Sequence, residues 1–545
     1  MDNTRLFLLI ALSFVSLMLW DAWQSDNVIA PQPAQSNDAP SPVIDTPTIA
    51  TDSPVSIPTP SAASLVVESA TGEFQKVSVT TDVFEVDINL LGGGIAQAGL
   101  LQYPVDLSQP NDPFKLLARN TERFFIHQGG IKGSAETPNH RSTFSTSNSR
   151  YRLEEGRDEL TVDLHWSSEN GIKVTKRFSF TRASYLIGIE YIVENKTPDT
   201  WTGRIYEQLQ RSKPASKRSL IYTFTGAAIS TPEKRYEKYD FGDLEDAPLN
   251  VEVKEGWVGI LEHYFVSALL PPAENLSHFY SLIIDQTRYV VGYWSPPLEV
   301  IAGATGSVTA AIFIGPKLQD VLHDTAPGLE LTVDFGILWF IAKPLFVTLQ
   351  YIKDITGNWG WAIIILTFLL KLAFYPLSAA GYRSMANMRK VQPRMVAMKE
   401  RFGKDRARLN QAMMELYKEE KINPLGGCLP IVVQIPVFIS LYWVLLESVE
   451  LRQATFALWL VDLSSKDPLY ILPLIMGVSM WIQQKLNPAP MDPIQQKVMQ
   501  ILPIAFTVFF MFFPSGLVLY WVVNNILSIA QQWHITRGIE NAVKT

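Results

Sequence analysis

The chain has 545 residues, of which 47% are apolar and 18% are charged, and its net charge is −7. This length exceeds one ordinary domain, and the apolar bias favours a membrane protein over a fully soluble one. The only cysteine, Cys428, excludes a disulfide bond within one chain and leaves no basis for a cysteine-ligated metal site.

The first 70 residues predict an anchor and a linker. Residues 1–23 contain the apolar run LFLLIALSFVSLMLW, and the following WDAWQSDN lacks the small residues of a signal-peptide cleavage site, so we expect a retained N-terminal membrane anchor. Residues 24–70 are rich in Pro, Ser, Thr and Ala and contain no aromatic residue, a composition that cannot bury a core. A disordered linker is therefore predicted there.

Residues 71–333 predict a large β domain. Short alternating runs, such as KVSVTTDVFEVDINL, LTVDLHWSS and YLIGIEYIVEN, are separated by Gly, Asn, Pro and Asp turns. Many short strands with this spacing are typical of a sandwich of two sheets.

The remaining residues predict membrane helices. Lys343 and Pro344 interrupt the apolar run at 334–356, which favours an interfacial amphipathic helix there over a span. The segments after it are predicted as the second span at 357–380, a cytoplasmic helical hairpin at 381–424, the third span at 425–446, an outer loop at 447–467, the fourth span at 468–486, a cytoplasmic loop at 487–497, the fifth and sixth spans at 498–533 and a cytoplasmic tail at 534–545. The last two spans share 36 uncharged residues split by a PSG turn, and their shortness indicates a locally thinned bilayer.

The charge distribution predicts the orientation. Residues 21–333 hold 25 Lys+Arg against 39 Asp+Glu, whereas residues 379–424 hold 11 against 5. Basic loops stay on the cytoplasmic side, so the hairpin and both termini are predicted inside and residues 24–333 outside. Orientation explains the basic loop, and no direct nucleic-acid partner is expected.

The predicted hairpin is rich in methionine. Six of the 13 methionines of the chain fall within it, at Met385, Met388, Met395, Met398, Met413 and Met414. These flexible side chains either pack the hairpin against itself or offer an adaptable docking surface for hydrophobic segments, and the sequence leaves both interpretations open.

One charged residue, Lys371, lies in the middle of the second predicted span. Such a charge is costly and usually faces protein or water for a purpose. Helical spacing places Thr367 on the same face, and Gln434, Tyr520 and Asn524 add polar groups on other spans, with Ser528 continuing the four-residue series. Together these groups predict a water-filled cavity. Two alternatives remain: Lys371 snorkels to the headgroups, and the two amides only bond neighbouring helices.

Several kinds of chemistry lack support. The spans predicted after residue 356 contain no Asp or Glu to relay protons, and the chain has no Walker-type glycine loop and no HExxH motif. The seven histidines fall singly. No catalytic residue, metal or cofactor is therefore expected.

Long blocks of the sequence resemble the YidC family of membrane protein insertases in its long Gram-negative form. In the helical region these are GNWGWAIIILTF, YPLSAAGYRSMANMRKVQPR, KINPLGGCLPIVVQIPVF, SVELRQATFALWLVDLSSKDPLYILP and FTVFFMFFPSGLVLYWVVNN, and in the β region FTGAAISTPEKRYEKYDF and GWVGILEHYFVSALLPP. The resemblance covers nearly the whole chain outside residues 24–70.

The resemblance implies a polytopic α-helical membrane protein of the bacterial inner membrane. It would have six spans, a five-helix core around a groove open to cytoplasm and lipid, and a periplasmic β-super-sandwich domain. The family usually has Arg where this chain has Lys371, which keeps the charge but loses the planar fork of donors. The implied function is to insert and fold inner-membrane proteins, alone or with the Sec translocon. Nascent chains, the ribosome and the lipid bilayer are the implied partners, with first capture by the hairpin.

Two other functions stay open on the sequence alone. A secondary transporter could use Lys371 as a substrate site, although no clear internal repeat is visible. A sugar-processing enzyme in the outer domain would require acidic and histidine side chains that converge in a β cleft.

Overall fold

The computed structural model of the protein describes residues 74–544, except 121–122, 134–135, 215–222, 273, 286, 403–404, 421–428 and 488–492. The anchor predicted at 1–23 and the linker predicted at 24–70 lie outside these residues, as does Cys428. All described residues belong to one unit of the chain, residues 60–545.

The region up to Pro316 is built mainly from strands. Their bounds are β1 Lys76–Thr80, β2 Phe84–Asn89, β3 Gly94–Pro104, β4 Pro113–Arg119, β5 Phe124–Gly133, β6 Arg150–Arg152, β7 Glu159–Ser167, β8 Ile172–Thr181, β9 Leu186–Asn195, β10 Trp201–Ser212, β11 Gly226–Ser230, β12 Glu237–Tyr239, β13 Asn250–Lys254, β14 Trp257–Leu261, β15 Phe265–Leu270, β16 Leu276–Ile284, β17 Arg288–Trp294, β18 Leu298–Val300 and β19 Thr305–Pro316.

These strands form two sheets. The larger has the order β13-β16-β17-β10-β5-β4-β3-β2-β1-β6, with β18 also paired to β10, and the other has the order β12-β11-β14-β15-β19-β9-β8-β7. In β9, every second side chain is buried, as the alternating sequence predicts. Large aromatic side chains such as Phe84, Phe178 and Trp257 are fully buried, each worth about 1.5–3 kcal/mol of transfer free energy. The predicted β sandwich is confirmed.

Helices make up most of the rest. Their bounds are α1 Phe241–Asp246, α2 Gln319–Thr325, α3 Trp339–Thr356, α4 Trp359–Ala373, α5 Tyr375–Phe402, α6 Arg406–Glu419, α7 Leu429–Glu447, α8 Ile471–Leu486, α9 Pro493–Phe510 and α10 Ser515–Lys544, with short 3-10 turns at Leu329–Thr332, Gly336–Leu338 and Val449–Leu451.

Helices α4 and α5 meet at a sharp bend. The sequence predicts one continuous span over 357–380, whereas the structure turns by 67° between Ala373 and Tyr375. Pro376 explains the break, because proline cannot donate to the preceding turn and disfavours helical geometry in the residue before it. In the described part of the chain, no single helix has the length and hydropathy of a membrane span, and only the bent pair α4 and α5 passes that test together.

The β sandwich contacts the helices through Arg452, which follows the 3-10 turn Val449–Leu451. Its guanidinium donates a hydrogen bond of 2.8 Å to the carbonyl oxygen of Pro104, at the end of β3. The same group lies 5.9 Å from the ring centre of Phe114 and 5.6 Å from that of Phe265. One arginine thus joins the loop between α7 and α8 to the edge of the sandwich.

A second contact lies at His263, between β14 and β15. Its Nε2 donates to the carbonyl oxygen of Leu446 at 2.9 Å, and Glu447 lies 3.9 Å away. Burial, assisted by the charge of Lys317, lowers the pKa of His263 to about 4. The imidazole is therefore neutral at pH 7 and acts as a simple hydrogen-bond donor between the two regions.

Candidate functional site

A small cavity with polar lining lies where α4, α7 and α10 meet. Its lining consists of Thr367, Leu370, Lys371 and Phe374 from the end of α4, Gln434 and Val437 from α7, and Tyr520 and Asn524 from α10. The structure therefore brings all five groove residues named from the sequence to one place, although they come from three separate helices.

Helix α4 is fixed at its start by Asn358. The Asn358 side chain accepts hydrogen bonds from the backbone N–H groups of Gly360 at 2.8 Å and Trp361 at 3.2 Å, which caps the helix. Its amide also donates to the carbonyl oxygen of Phe456 at 3.0 Å. Any Cβ at Gly360 would collide with the Phe456 ring, so glycine permits the close packing. The cap at Asn358 and the helix break before Pro376 together place Lys371 in the last turn of α4.

The ammonium group of Lys371 is the main feature of the cavity. The residue is 5% exposed, and Nζ donates to the Ser528 hydroxyl at 2.7 Å. Ser528 in turn donates to the carbonyl oxygen of Asn524 at 2.7 Å and hydrogen-bonds Tyr382. An ammonium has three donors, and among the described residues Lys371 has this one hydrogen bond and no carboxylate partner. The cavity therefore holds an uncompensated positive charge that attracts water or a negative group.

The other lining groups differ in how they are engaged. Thr367 is 1% exposed and its hydroxyl donates to the carbonyl oxygen of Ile363 at 2.6 Å, so it is satisfied within α4. The Tyr520 ring stacks against Phe438 with ring centres 6.0 Å apart. The side-chain amides of Gln434 and Asn524 form no hydrogen bond with another described residue and line the cavity wall.

The loop from Val449 to Leu469 covers the turn between α9 and α10. Asp462 accepts hydrogen bonds from the backbone of Gln453 at 3.0 Å and of Ser464 at 2.9 Å, which folds the loop onto itself. Backbone bonds then tie it to the turn, from Ser515 to Ser465 at 2.7 Å and from Gly516 to Leu463 at 2.9 Å. This end of the helical region is closed by well-satisfied polar contacts.

Sequence reasoning missed some polar contacts between helices. Asn525, next to Asn524, is buried and donates to Ser479 of α8 at 3.0 Å. The sequence shows two adjacent asparagines but does not reveal which one faces the cavity. The four-residue series that includes Ser528 gave a usable indication, yet it did not predict that Ser528 binds the lysine directly.

The methionines of the hairpin fall into two groups. Met395 and Met413 are buried in a small core with Val391 and Leu416, and Met388 and Met398 pack against it. Met414 is 55% exposed, and Met385 is half-buried outside this core. Four of the six thus hold α5 against α6, and Met414 is the one with the most available surface.

Metal chemistry has no candidate site in the described ranges. No group of three His, Cys, Asp or Glu side chains among them is arranged to hold a metal ion.

Comparison with known proteins gives the family. The profile described as "60Kd inner membrane protein" matches residues 351–542, and the profile "YidC periplasmic domain" matches residues 76–348. The chain belongs to the YidC family. A relative from Methylococcus capsulatus is 51% identical over 99% of each chain, and one from Nitrosococcus oceani is 48% identical over 99% of each chain. Both are named membrane protein insertase YidC, a name that does not favour the transporter interpretation.

Two solved structures match the chain with low scores. A crystal structure of an active YidC insertase matches with a TM-score of 0.38 and 19% identity, covering 84% of this chain and 92% of that one. A galactose mutarotase related enzyme from Lactobacillus acidophilus matches with a TM-score of 0.29 and 11% identity, covering 44% of this chain and 97% of that one.

Proposed function

We propose that the protein inserts proteins into the bacterial inner membrane and assists their folding, and that it does so without enzymatic chemistry. The observation that carries the proposal is the buried Lys371 ammonium, which has no carboxylate partner among the described residues and lies in a polar cavity between helices. Membership of the YidC family and the insertase name of its relatives support the same function.

The proposed arrangement in the membrane has six spans and both termini in the cytoplasm. The acidic β domain, with the linker before it, lies in the periplasm, and α3 lies at the outer interface. Large apolar side chains that stay exposed on the helices support contact with lipid, since water would disfavour such surfaces. They include Trp361 and Phe368 on α4, Val478 and Trp481 on α8, and Ile501 and Ile504 on α9.

The barrier to insertion is desolvation of the polar tail that must cross. A hydrated cavity within the membrane lowers that barrier, and a thinned bilayer beside the short last spans shortens the remaining path. Lys371 attracts acidic tails through its positive charge. The client then leaves sideways into lipid, driven by burial of its own apolar surface. This sequence of steps requires a groove open to cytoplasm and lipid and closed outside, where the loop from Val449 to Leu469 lies.

The hairpin of α5 and α6 makes the first contact with clients. Its buried methionines keep the two helices together, and Met414 offers a flexible apolar side chain to hydrophobic segments of varied shape. The basic surface of this hairpin and the C-terminal tail contact the ribosome. The protein works alone or with the Sec translocon.

Depletion in cells tests the proposal. Small proteins with one or two spans are synthesised in the presence of vesicles from depleted cells, from restored cells and from cells with the unmodified level of the protein. We expect insertion to fall on depletion and to return on restoration. Equal insertion in all three vesicle preparations would sink the proposal.

A further inference from the structure

The loop between α7 and α8 has an apolar tip, residues 454–461, with the sequence ATFALWLV. This stretch contains no charged residue. Leu458 is 88% exposed and Val461 is 52% exposed. Exposed apolar side chains that lie together in this way mark a surface that contacts another molecule or a membrane.

The backbone at Leu458 is strained. Its φ is 56°, in the left-handed region that glycine and asparagine adopt far more readily than leucine. Either of those residues would suit both this turn and contact with water better. Strained residues cluster where they serve a function. The leucine at this position therefore indicates a role for its side chain outside the loop.

Hydrogen bonds hold the tip in its shape. The backbone N–H of Phe456 donates to the carbonyl oxygen of Leu460 at 2.9 Å, and the N–H of Leu460 donates to that of Ala457 at 3.1 Å. The indole N–H of Trp459 donates to the carboxylate of Asp467 at 3.0 Å, and Asp467 is buried. These bonds pair polar groups that would otherwise oppose transfer of the tip out of water.

The tip lies beside the start of α4. The Phe456 ring meets the Trp361 ring edge to face, with ring centres 5.7 Å apart. The Asn358 amide donates to the carbonyl oxygens of Thr455 at 3.3 Å and Phe456 at 3.0 Å. Trp361 is 53% exposed and belongs to the surface that faces lipid in the proposed arrangement. The tip therefore adjoins a lipid-facing surface.

We propose that residues 454–461 insert into the outer leaflet of the membrane, with Leu458 and Val461 among the lipid acyl chains. This inference rests on the proposed placement of the loop on the outer side. Burial of the two apolar side chains drives the insertion. Lipid suits the tip better than a protein partner, because protein interfaces have a polar rim with several hydrogen bonds, and the tip offers only the hydroxyl of Thr455 beside the engaged indole.

Insertion of the tip has a consequence for the helical region. The same loop accepts backbone hydrogen bonds from Ser515 and Gly516, in the turn between α9 and α10. An inserted tip therefore fixes this closed end of the helical region against the outer leaflet.

Spin-label accessibility on the full-length protein in liposomes tests the proposal. Cys428→Ser removes the only native cysteine, and this background must retain insertion activity. Single cysteines are then introduced and labelled at Leu458, at Val461 and, as the reference for lipid, at Val478 on α8. Oxygen concentrates in lipid and a neutral nickel chelate stays in water, so the ratio of their collision rates reports the surroundings of each label. We expect the labels at Leu458 and Val461 to resemble the label at Val478.

Ile301→Cys is the matched control for an exposed apolar position. Ile301 is 66% exposed and precedes β19, at the end opposite Pro316. Pro316 pairs with Phe265, whose ring lies 5.6 Å from the guanidinium of Arg452 in the loop. A strand of 12 residues spans roughly 40 Å, so Ile301 lies far from the helical region. Its label should report water, with an oxygen-to-nickel ratio several times lower than at Leu458.

A second variant separates lipid contact from the structure of the loop. Leu458→Asn removes the apolar side chain but suits the left-handed backbone, so the thermal unfolding temperature should not fall. In this variant the label at Val461 should shift toward water. An unchanged reading at Val461 would contradict the role of Leu458 in insertion.

The remaining outcomes separate this proposal from the proposed function. Labels in water at Leu458 and Val461, with Val478 in lipid and insertion activity retained, would overturn the inserted tip alone. A label in water at Val478 as well would overturn the proposed membrane arrangement together with the tip. Low collision rates with both reagents at Leu458 would show that protein covers the tip, such as a second copy of the chain, and would also overturn the proposal.

Discussion

Reversal of the charge at Lys371 tests the electrostatic role of the helical cavity. The Lys371→Glu variant places a carboxylate where the ammonium now contacts Ser528 at 2.7 Å. Lys371→Arg keeps the positive charge, and the hydroxyl of Ser528 can accept from a guanidinium as it does from an ammonium. We expect the arginine variant to work normally and the glutamate variant to fail selectively with clients that carry acidic tails.

The magnitude follows from the distance between the two charges. An acidic group that enters the cavity beside Lys371 lies about 4–8 Å from the ammonium. At about 6 Å, two unit charges interact by ~0.7 kcal/mol in water-like surroundings and ~2.8 kcal/mol at an effective dielectric constant of about 20. Lys371→Glu replaces this attraction with a repulsion of equal size, so the interaction energy changes by twice these values. Even the lower value, ~1.4 kcal/mol, is about a tenfold effect for each acidic residue in the cavity.

The assay uses proteoliposomes and a client with one span. Its translocated tail carries no, one or three acidic residues, and insertion is measured as protection of the tail from added protease. Lys485→Glu is the control for net charge, because Lys485 is exposed on α8 and lies over Trp481, outside the cavity. Insertion that falls equally for all tails in Lys371→Glu, or that does not fall at all, would refute the electrostatic role.

Three further predictions follow from other contacts. Ser528→Ala removes the hydrogen bond to the ammonium, worth about 1.5–3 kcal/mol, and should lower the thermal unfolding temperature. Ser528→Thr keeps a hydroxyl group and should leave the unfolding temperature near that of the unmodified protein. Met395→Ser should speed hydrogen exchange in the hairpin core, because Met395 is buried there. Met414→Ser should leave this exchange unchanged but reduce crosslinking to clients, because Met414 is exposed. The reverse pattern would contradict the proposed division of roles. The pKa of His263 is about 4 in the folded protein against about 6.5 unfolded, so the unfolded state binds more protons between these values and stability should fall as pH falls through that window. The free energy of unfolding should therefore be lower at pH 5 than at pH 7, and His263→Gln should reduce the difference.

Residue patterns that repeat every two or every four positions correctly predicted which faces of strands and helices are buried or polar. Alternation in the segment that became β9 predicted a half-buried strand because a sheet sends successive side chains to opposite faces. The four-residue series at Tyr520 and Asn524 predicted a shared polar face because helical neighbours lie one turn apart. Both rules are local, and the structure needed only to bring the resulting faces together.

Features that depend on a bend in the chain or on residues distant in sequence were not predicted by these patterns. The bend before Pro376 is a local effect, yet hydropathy alone continues through it and predicts a single span. The roles of Asn525 and Ser528 depend on how α10 is rotated against α8 and α4, which periodicity does not specify when polar residues are adjacent. The hydrogen bond between His140 and Tyr206 likewise joins residues that are 66 positions apart in the chain.

The most direct test of insertase function is reconstitution with the purified protein as the only protein in the liposomes. A client with one span and a short acidic tail is synthesised in the presence of these liposomes or of empty ones. Protection of the tail from added protease is then compared between the two. We predict protected tails only where the protein is present, with protection lost in Lys371→Glu and retained in Lys371→Arg. Equal protection in empty liposomes would contradict the proposal that this chain carries out insertion.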